Sequence, residues 1–422
     1  MLSIELIRKD PAAVRRALAR RHDDSSIEPI LQIDERRRAL LTEAEGLRAR
    51  RNEVSKQIGK MNPKPPDLIA EMRQVGDTIK ELETQVTALE QEQRDALLRL
   101  PNIPRDGVPD GPDASANKEV RQWGARRDFA FKPQPHWEIA AKLGIIDFAR
   151  GQKISGSRFY ILQGRGAKLQ RSLIQWMLDR HVSRGYTEVY PPYMVREQVV
   201  YGSGQLPKFR DNLYRDAEED YWMVPTAEVP ITGMYADEIL PPGTAPIRHA
   251  AYTACFRREK MSAGKDIRGI KRGHQFDKVE MYKLVPPETS GEELKALVAD
   301  ATSLAEELEL PYRLLQLCTG DLGFAAAESY DIELWAPGCN EWLEVSSCSN
   351  CGDFQARRAN VRFRREANAK PEFVHTLNGS GLALPRVMIA ILETYQEGDG
   401  SVTVPKALRP YTGFDTIPVS PR

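Results

Sequence analysis

The residues best suited to chemistry gather between Arg248 and Glu280, in RHAAYTACFRREKMSAGKDIRGIKRGHQFDKVE. A near-apolar strand over 250–256 ends in Arg257-Arg258-Glu259, a loop rich in Gly, Lys and Arg runs over 261–273, and a second strand follows through Phe276, Val279 and Met281. Gly264, Gly269 and Gly273 let the backbone come close to a ligand, while Lys265, Arg268, Lys271 and Arg272 carry the charge to surround a polyphosphate. Long irregular loops between strands are usually functional. The same loop also reads as a solvated, charged hairpin tip.

Other candidates are scattered. In Asp331-Ile332-Glu333 the alternation of a strand puts two acids on one face, a pattern for metal or acid–base work, and Glu333 reads best beside Glu344. Cys348 and Cys351 have half the spacing of a zinc site, with no second pair to complete it. No structural zinc is expected, and Cys348 reads as a packed residue. His136 has no visible charge partner and reads as structural. Neither G-x-G-x-x-G nor G-x-x-x-x-G-K-[ST] is present, which excludes the two common glycine-cradle nucleotide sites.

Taken in order, several segments resemble one family. FRREK followed by GKDIRGIKRGHQFDKVE resembles motif 2 of the class II aminoacyl-tRNA synthetases, in the form found in bacterial-type seryl-tRNA synthetases. Residues 157–195 resemble motif 1, although they also read as an ordinary helix–strand unit. Thr226-Ala227-Glu228 resembles the TAE signature. Glu344 to Asn350 resembles the E-x-x-S-C-S-N segment, and HTLNGSGLALPR (375–386) resembles motif 3, with Leu384-Pro385 where many members have Val-Gly.

The resemblance implies a set of roles. Thr226, Glu228, Arg257, Glu280, Asn378 and Ser380 would hold L-serine, whose hydroxyl is selected by polar groups that a wrong substrate leaves unpaired. Arg257, Glu259, Arg272, Phe276, Glu344, Ser347 and Arg386 would hold ATP. In that set Arg257 would bridge the amino-acid carboxylate and the α-phosphate, Phe276 would stack on adenine, and Arg386 would meet the γ-phosphate. Arg272 and Lys265 stay open between phosphate and acceptor-stem contact. Glu344 and Ser347 would hold Mg2+, which favours hard oxygen ligands, and Arg257, Arg386 and Glu344 would carry the catalysis. The implied reaction is ATP-dependent serylation of tRNA(Ser) through a seryl-adenylate, extending to tRNA(Sec) where a cell has one. A homodimer built through motif 1 is also implied. The rivals are an amino-acid:carrier-protein ligase, which lacks a tRNA-binding arm, and a non-catalytic RNA-binding protein on a decayed core.

The elements that must position these residues fall into two parts. Asp10-Pro11 reads as an N-cap and first-turn proline opening a short helix over 11–21. Leu40, Ala44, Leu47, Arg51, Val54, Ile58 and Met61 then repeat at alternating spacings of four and three. So do Leu68, Met72, Val75, Ile79, Leu82, Val86, Leu89, Gln93 and Ala96. Asn62-Pro63-Lys64-Pro65-Pro66 separates the runs, so the pattern predicts an antiparallel coiled-coil hairpin over about 30–98. Each helix would reach ~45 Å. Residues 35–64 hold nine basic and four acidic residues, and 67–95 hold three and eight. The asymmetry fits charge pairing between the helices, and it also fits a basic outer face for RNA phosphates. Seryl-tRNA synthetases carry such an arm, which implies tRNA contacts at Arg36, Arg37, Arg48 and Arg51.

The fold expected is α+β: an antiparallel class II sheet with surrounding helices, preceded by the helical arm. The domains expected are 1–100 for the arm, 101–115 for a Pro- and Gly-rich linker, and 116–422 for catalysis. Two further strands are expected over 312–317 and 330–335, and a helix over 291–310. Phe354–Arg358 with Arg362, Arg364 and Arg365 reads as a basic strand for tRNA or a solvated face. Lys plus Arg equals Asp plus Glu at 60 each, so any nucleic-acid surface is local. Five cysteines in 422 residues point to a reducing compartment. With no apolar run long enough for a membrane, a cytoplasmic protein is expected.

Overall fold

The computed structural model describes residues 1–260 and 268–420. Gly264 and Lys265 therefore lie outside the described residues. The chain divides into two compact units. The smaller comprises Leu2–Ala19 and Asp23–Pro101, and the larger is mostly Asn102–Arg422.

In the smaller unit, helix α1 (Ile4–Lys9) precedes α2 (Pro11–Arg20). The Asp10 carboxylate accepts from the Ala13 N–H at 2.9 Å and so caps α2. The hairpin is α3 (Glu28–Ile58) and α4 (Pro66–Leu97), the latter opening on a first-turn proline. Met72, Ile79, Leu82, Val86 and Leu89 are buried in its seam, whereas Met61 lies in the turn and is exposed. Arg51, on the seam, passes beside Gly76 of the other helix, where a Cβ would lie 3.5 Å from the guanidinium, an ordinary contact distance. Arg37 pairs with Glu90 at 2.7 Å and Arg50 with Glu71 at 2.6 Å, and Arg48 pairs with Glu83. Charge pairing between the helices thus accounts for part of the asymmetry. Exposed pairs of this kind contribute only about 0–1 kcal/mol each.

In the larger unit, eight of the described strands form one sheet: β1 (Lys118–Trp123), β2 (Thr187–Val189), β3 (Ile247–Phe256), β4 (Gln275–Val285), β5 (Tyr312–Gln316), β6 (Glu328–Ala336), β7 (Glu341–Gly352) and β8 (His375–Ala383). Their order is β1-β5-β6-β7-β8-β4-β3-β2, antiparallel except for β2 beside β3. Residues of β4 alternate, as a half-buried strand must. Val279 and Met281 enter the core, while Phe276, Lys278 and Glu280 face a cleft. Helices α6 (Gly164–Ser183), α8 (Ser290–Glu307) and α10 (Leu384–Thr394) pack their apolar stripes into that core through Leu173, Leu297 and Met388. Helix α5 (His136–Leu143) adds Ile139. After Leu100 the backbone N–H of Asn102 donates to Phe324 O and that of Arg105 to Ala327 O, both at 2.9 Å.

One expectation is corrected here. Phe354–Arg358 is no strand and no solvated face: it forms helix α9 (Phe354–Ala359), with Phe354 and Gln355 fully buried and Arg358 nearly so. Arg358 donates to the carbonyls of Tyr201 and Leu206, and Arg365 pairs with Glu288 and Glu372. Local charge density misleads here because the guanidiniums find partners that are remote in sequence. The acid pair stands as its spacing suggests, with a further partner. Glu333 does stand opposite Glu344 in register, but its carboxylate accepts from Arg313. It is Asp331, opposite Ser347, that feels the charge of Glu344.

Candidate active site

Sheet register assembles the site. Glu280 on β4 stands opposite Ser380 on β8, and Asn378 two residues back stands opposite Ser349 on β7. Helix α7 (Glu228–Met234) starts at the cleft and supplies Glu228 at its first position, with Thr226 just before it. The Arg257 carbonyl and backbone N–H both engage His274, which closes the β3–β4 hairpin below its loop. Glu259, with φ of 51°, occupies the left-handed region that non-glycine residues rarely adopt, and it faces Arg272 at 3.7 Å.

The result is a cleft of about 590 Å³ continuing into a smaller one of about 170 Å³. Thr226, Glu228, Glu280, Ser347 and Asn378 line the first, and Phe276 and Arg386 line the second. Arg257, Glu259, Arg272, Glu344 and Ser380 line both. Every residue given a serine or ATP role by the resemblance is thus on these walls. Arg36, Arg37, Arg48 and Arg51 belong to the other unit.

At the first end the walls are acidic and closely bonded. Glu228 is half-buried and its carboxyl is pushed up to about 7, first by loss of solvation and then by the charge of Glu280, against the opposing pull of Gln355, Lys278 and Arg257. Its Oε1 accepts from Asn378 Nδ2 at 2.9 Å and from Gln355 Nε2. Gln355 is itself fixed, because its Oε1 accepts from the Thr376 hydroxyl at 2.5 Å and its amide also donates to Ser203 O at 2.9 Å. Lys278 Nζ lies 2.5 Å from Glu280 Oε2. An ammonium with a small hydroxyl-bearing side chain meets the two carboxylates of Glu228 and Glu280 and the side-chain amide of Asn378 here, with Gln355 behind them.

At the second end the walls are basic. The Arg257 guanidinium lies 5.0 Å from the centre of the Phe276 ring and donates to Pro225 O at 3.3 Å. Arg386, on the first turn of α10, donates to Glu344 O at 2.5 Å and lies 3.5 Å from the Glu344 carboxylate. Pro385 just before it suits that first turn. Glu344 and Ser347 offer hard oxygens beside Asp331, whose Oδ1 is buried without a hydrogen-bond partner and whose carboxyl is raised by burial and by Glu344. Such a donor set fits Mg2+ accompanying a nucleotide. Cys348 is fully buried and its thiol is pushed up to about 12, chiefly by burial, so it is no nucleophile.

Sequence reasoning missed several groups. Lys278 sits between Phe276 and Glu280 on the period-two face, and that spacing was the available signal. Gln355 carries no local signal: its role exists only because α9 is buried beneath Glu228. Asn212, which accepts from the Lys260 N–H at 3.2 Å, lines the cleft from the end of a short 3-10 helix (Arg210–Asn212). His136, for which the sequence offers no charge partner, has one: Glu393 lies 3.0 Å from its Nδ1.

Comparison with known proteins gives a consistent answer. Residues 1–104 match the model for the seryl-tRNA synthetase N-terminal domain, and 208–395 match the tRNA synthetase class II core domain (G, H, P, S and T). The chain is 60% identical to the serine--tRNA ligase of Roseiflexus sp. (strain RS-1), over 98% of both chains. The crystal structure of seryl-tRNA synthetase from Pyrococcus horikoshii complexed with ATP superposes with a TM-score of 0.95 at 41% identity, covering 100% of each chain. That of the cytoplasmic serine-tRNA ligase from Naegleria fowleri in complex with AMP gives 0.89 at 30%, covering 100% of this chain and 99% of the other. With its fold, its cleft and both of its matched regions in agreement, the chain belongs to the bacterial-type seryl-tRNA synthetases, enzymes of the class II aminoacyl-tRNA synthetase family.

Proposed function

We propose that the acidic end of the cleft takes L-serine and the basic end takes ATP, in the ATP-dependent serylation of tRNA(Ser) that this family carries out. The observation that carries the reading is the polarity of one continuous cleft, with Glu228 and Glu280 at one end, Phe276 and Arg386 at the other, and Arg257 on the wall of both. The serine ammonium is held by ionised Glu228, itself steadied by Gln355 and Asn378, and Thr226 adds a further hydrogen-bonding group. Glu280 and Ser380 receive the hydroxyl.

In the first step a serine carboxylate oxygen attacks the α-phosphorus, and the bond to the β-phosphate bridging oxygen breaks as pyrophosphate leaves. Arg257 orients the carboxylate against the α-phosphate through its fixed fork of donors, and Arg386 with Arg272 neutralises the leaving charge. Glu259 holds Arg272 in reach, and Phe276 stacks the adenine. Glu344 and Ser347 are the residues to hold Mg2+, which supplies charge neutralisation when bound with ATP. In the second step the terminal ribose hydroxyl of tRNA attacks the adenylate carbonyl and AMP departs. Positioning and preorganised charge carry both steps, with no protein nucleophile.

The partners follow the same reading. The arm holds tRNA(Ser), with tRNA(Sec) as a second acceptor where it exists, and Arg36, Arg37, Arg48 and Arg51 face its phosphates. Two copies associate through 157–195, where Tyr190 and Met194 are exposed. Residues 1–100 act as the tRNA-binding domain, 101–115 as the connection and 116–422 as the catalytic domain. The protein works in the cytoplasm without structural zinc; its five cysteines are free thiols, and no helix among the described residues is long and apolar enough to cross a membrane.

The test is ATP–pyrophosphate exchange on the purified protein with each of the twenty amino acids, without tRNA. Exchange with serine alone is expected. Exchange with glycine or alanine instead would favour a carrier-protein ligase, and none with any amino acid would overturn the assignment of the cleft.

A further inference from the structure

Behind the basic end of the cleft lies a buried polar knot that the reaction does not touch. Glu393, two turns along α10 from Arg386, is fully buried, and so is nearly all of His136 at the start of α5. Glu393 Oε1 accepts from the His136 backbone N–H at 2.8 Å and from the Cys339 thiol at 3.0 Å, and His136 Nδ1 lies 3.0 Å away. Its Oε2 accepts from the Cys339 backbone N–H at 3.0 Å. The other ring nitrogen, His136 Nε2, lies 3.2 Å from the backbone nitrogen of Ile270.

His136, Cys339 and Glu393 each bring one ligand atom within 4.8 Å of the others, close enough to share a metal ion. The Ile270 N–H decides against it. A backbone N–H only donates, so Nε2 must hold the lone pair. A neutral imidazole has one such nitrogen, so Nδ1 bears the proton and gives it to Glu393. Nothing remains on Nδ1 for a metal. The Cys339 thiol is pushed up by burial first and by the charge of Glu393 next, so it keeps its proton and acts as a donor.

What the knot does hold is the second half of the β3–β4 loop. Gly269, with φ of 76°, passes so close to the imidazole that a Cβ there would lie 1.9 Å from Nε2. Ile270 is buried in the core, Lys271 pairs with Glu341 at 2.7 Å, and Arg272 comes next, on the cleft wall. The same carboxylate fixes Cys339 in the turn that leads into β7 and Glu344, and it rides on the helix whose first turn carries Arg386. Three parts of the phosphate wall therefore take their position from one buried group.

We propose that His136 is a positioning residue for ATP, relaying the fixed place of Glu393 to the Gly269–Ile270 backbone and so setting Arg272 against the polyphosphate. The proposal rests on the assignment of the basic end of the cleft to ATP. Two variants separate the halves of the relay. In His136→Gln the amide oxygen occupies the region of Nε2 and accepts from Ile270, while the donor to Glu393 is lost. In His136→Asn an amide near the Nδ1 position still donates to Glu393, but Ile270 is out of reach.

The experiment is ATP–pyrophosphate exchange, with KM measured separately for ATP and for serine, alongside thermal unfolding. His136→Asn is expected to raise KM for ATP about tenfold or more with KM for serine within about twofold, and His136→Gln to retain most of the ATP affinity. A lower Tm in both variants with unchanged KM for ATP, or equal rises in both KM values, would make His136 a core residue and overturn the proposal. So would one equivalent of zinc in the purified protein. If neither variant folds, Gly269→Ala decides, because its methyl runs into the imidazole and drives the turn off the ring while His136, Glu393 and Cys339 all keep their own side chains. An ATP-selective loss supports the relay, and no loss overturns it. Arg272→Ala is the control: if it leaves KM for ATP unchanged, the ATP assignment has failed rather than the relay.

Discussion

Lys278 Nζ and Glu280 Oε2 lie 2.5 Å apart, with 8% and 2% of their side chains exposed. Two residues apart on β4, they share the cleft face with Phe276. Breaking a buried pair by removing one partner is costly because it leaves an uncompensated charge. Here the charge left over would be the second carboxylate beside Glu228.

Replacing Lys278 with Met is therefore expected to act on serine more than on ATP. Without the lysine, one of the pulls that lower the Glu228 pKa, beside those of Gln355 and Arg257, is lost and its ionised form becomes scarcer. Exchange kinetics at pH 7 should show kcat/KM for serine reduced by roughly 100-fold, about 2.7 kcal/mol, with partial recovery at higher pH. A normal KM for serine in this variant would refute the account.

The raised Glu228 pKa also sets a pH dependence. Holding an ammonium needs the ionised form, so serine affinity should fall below about pH 7, approaching tenfold per pH unit. Stability of the ligand-free protein runs the other way. An acid raised from 4.5 to about 7 stabilises the fold fully below pH 4.5, and that contribution is lost as pH rises through 7. Glu228→Gln should flatten both curves. Calorimetric serine titrations and thermal unfolding from pH 5.5 to 8.5 test the pair, and parallel slopes in both would contradict it.

Gln355 is expected to matter for serine although it does not line the cleft. Gln355→Leu removes a donor to Glu228 and leaves that carboxylate under-bonded, at about 1–3 kcal/mol. Serine should bind roughly tenfold or more weakly while adenine-nucleotide affinity stays put. Equal losses in both would instead indicate a general disturbance of α9.

For the arm, deletion of residues 35–95 should leave amino-acid-dependent exchange largely intact and abolish charging of tRNA. Among single changes, Arg36→Ala should weaken tRNA binding and reduce the slope of log K against log salt by about 1. Arg36 is exposed and makes no ion pair among the described residues. Arg37→Ala and Arg48→Ala remove partners of Glu90 and Glu83, so their effects should divide between arm stability and tRNA affinity. Unchanged salt dependence in Arg36→Ala would remove it from the tRNA surface.

Much of this protein is local and therefore legible in one dimension. The four-and-three spacing of the arm, interrupted by Pro63, Pro65 and Pro66, leaves a helical hairpin as the arrangement that buries both stripes. The run from Arg257 to Glu280 announces a hairpin with a basic loop, and period two alone puts Phe276 and Glu280 on one face. Tertiary structure decided whatever depends on partners far away in the chain. Burial turned Phe354–Arg358 from an apparent basic strand into a helix whose glutamine fixes Glu228, 127 residues earlier. Across the bulge between Ile332 and Glu333, Glu333 meets Glu344 as its spacing suggests, but an arginine on the neighbouring strand takes up its carboxylate, while Asp331 beside Ser347 also feels the charge of Glu344. His136 found its carboxylate 257 residues away, because only packing α5 against α10 brings them together. Side-chain spacing records which face a residue occupies, but the charge it meets there is set by chain crossings that no local pattern encodes.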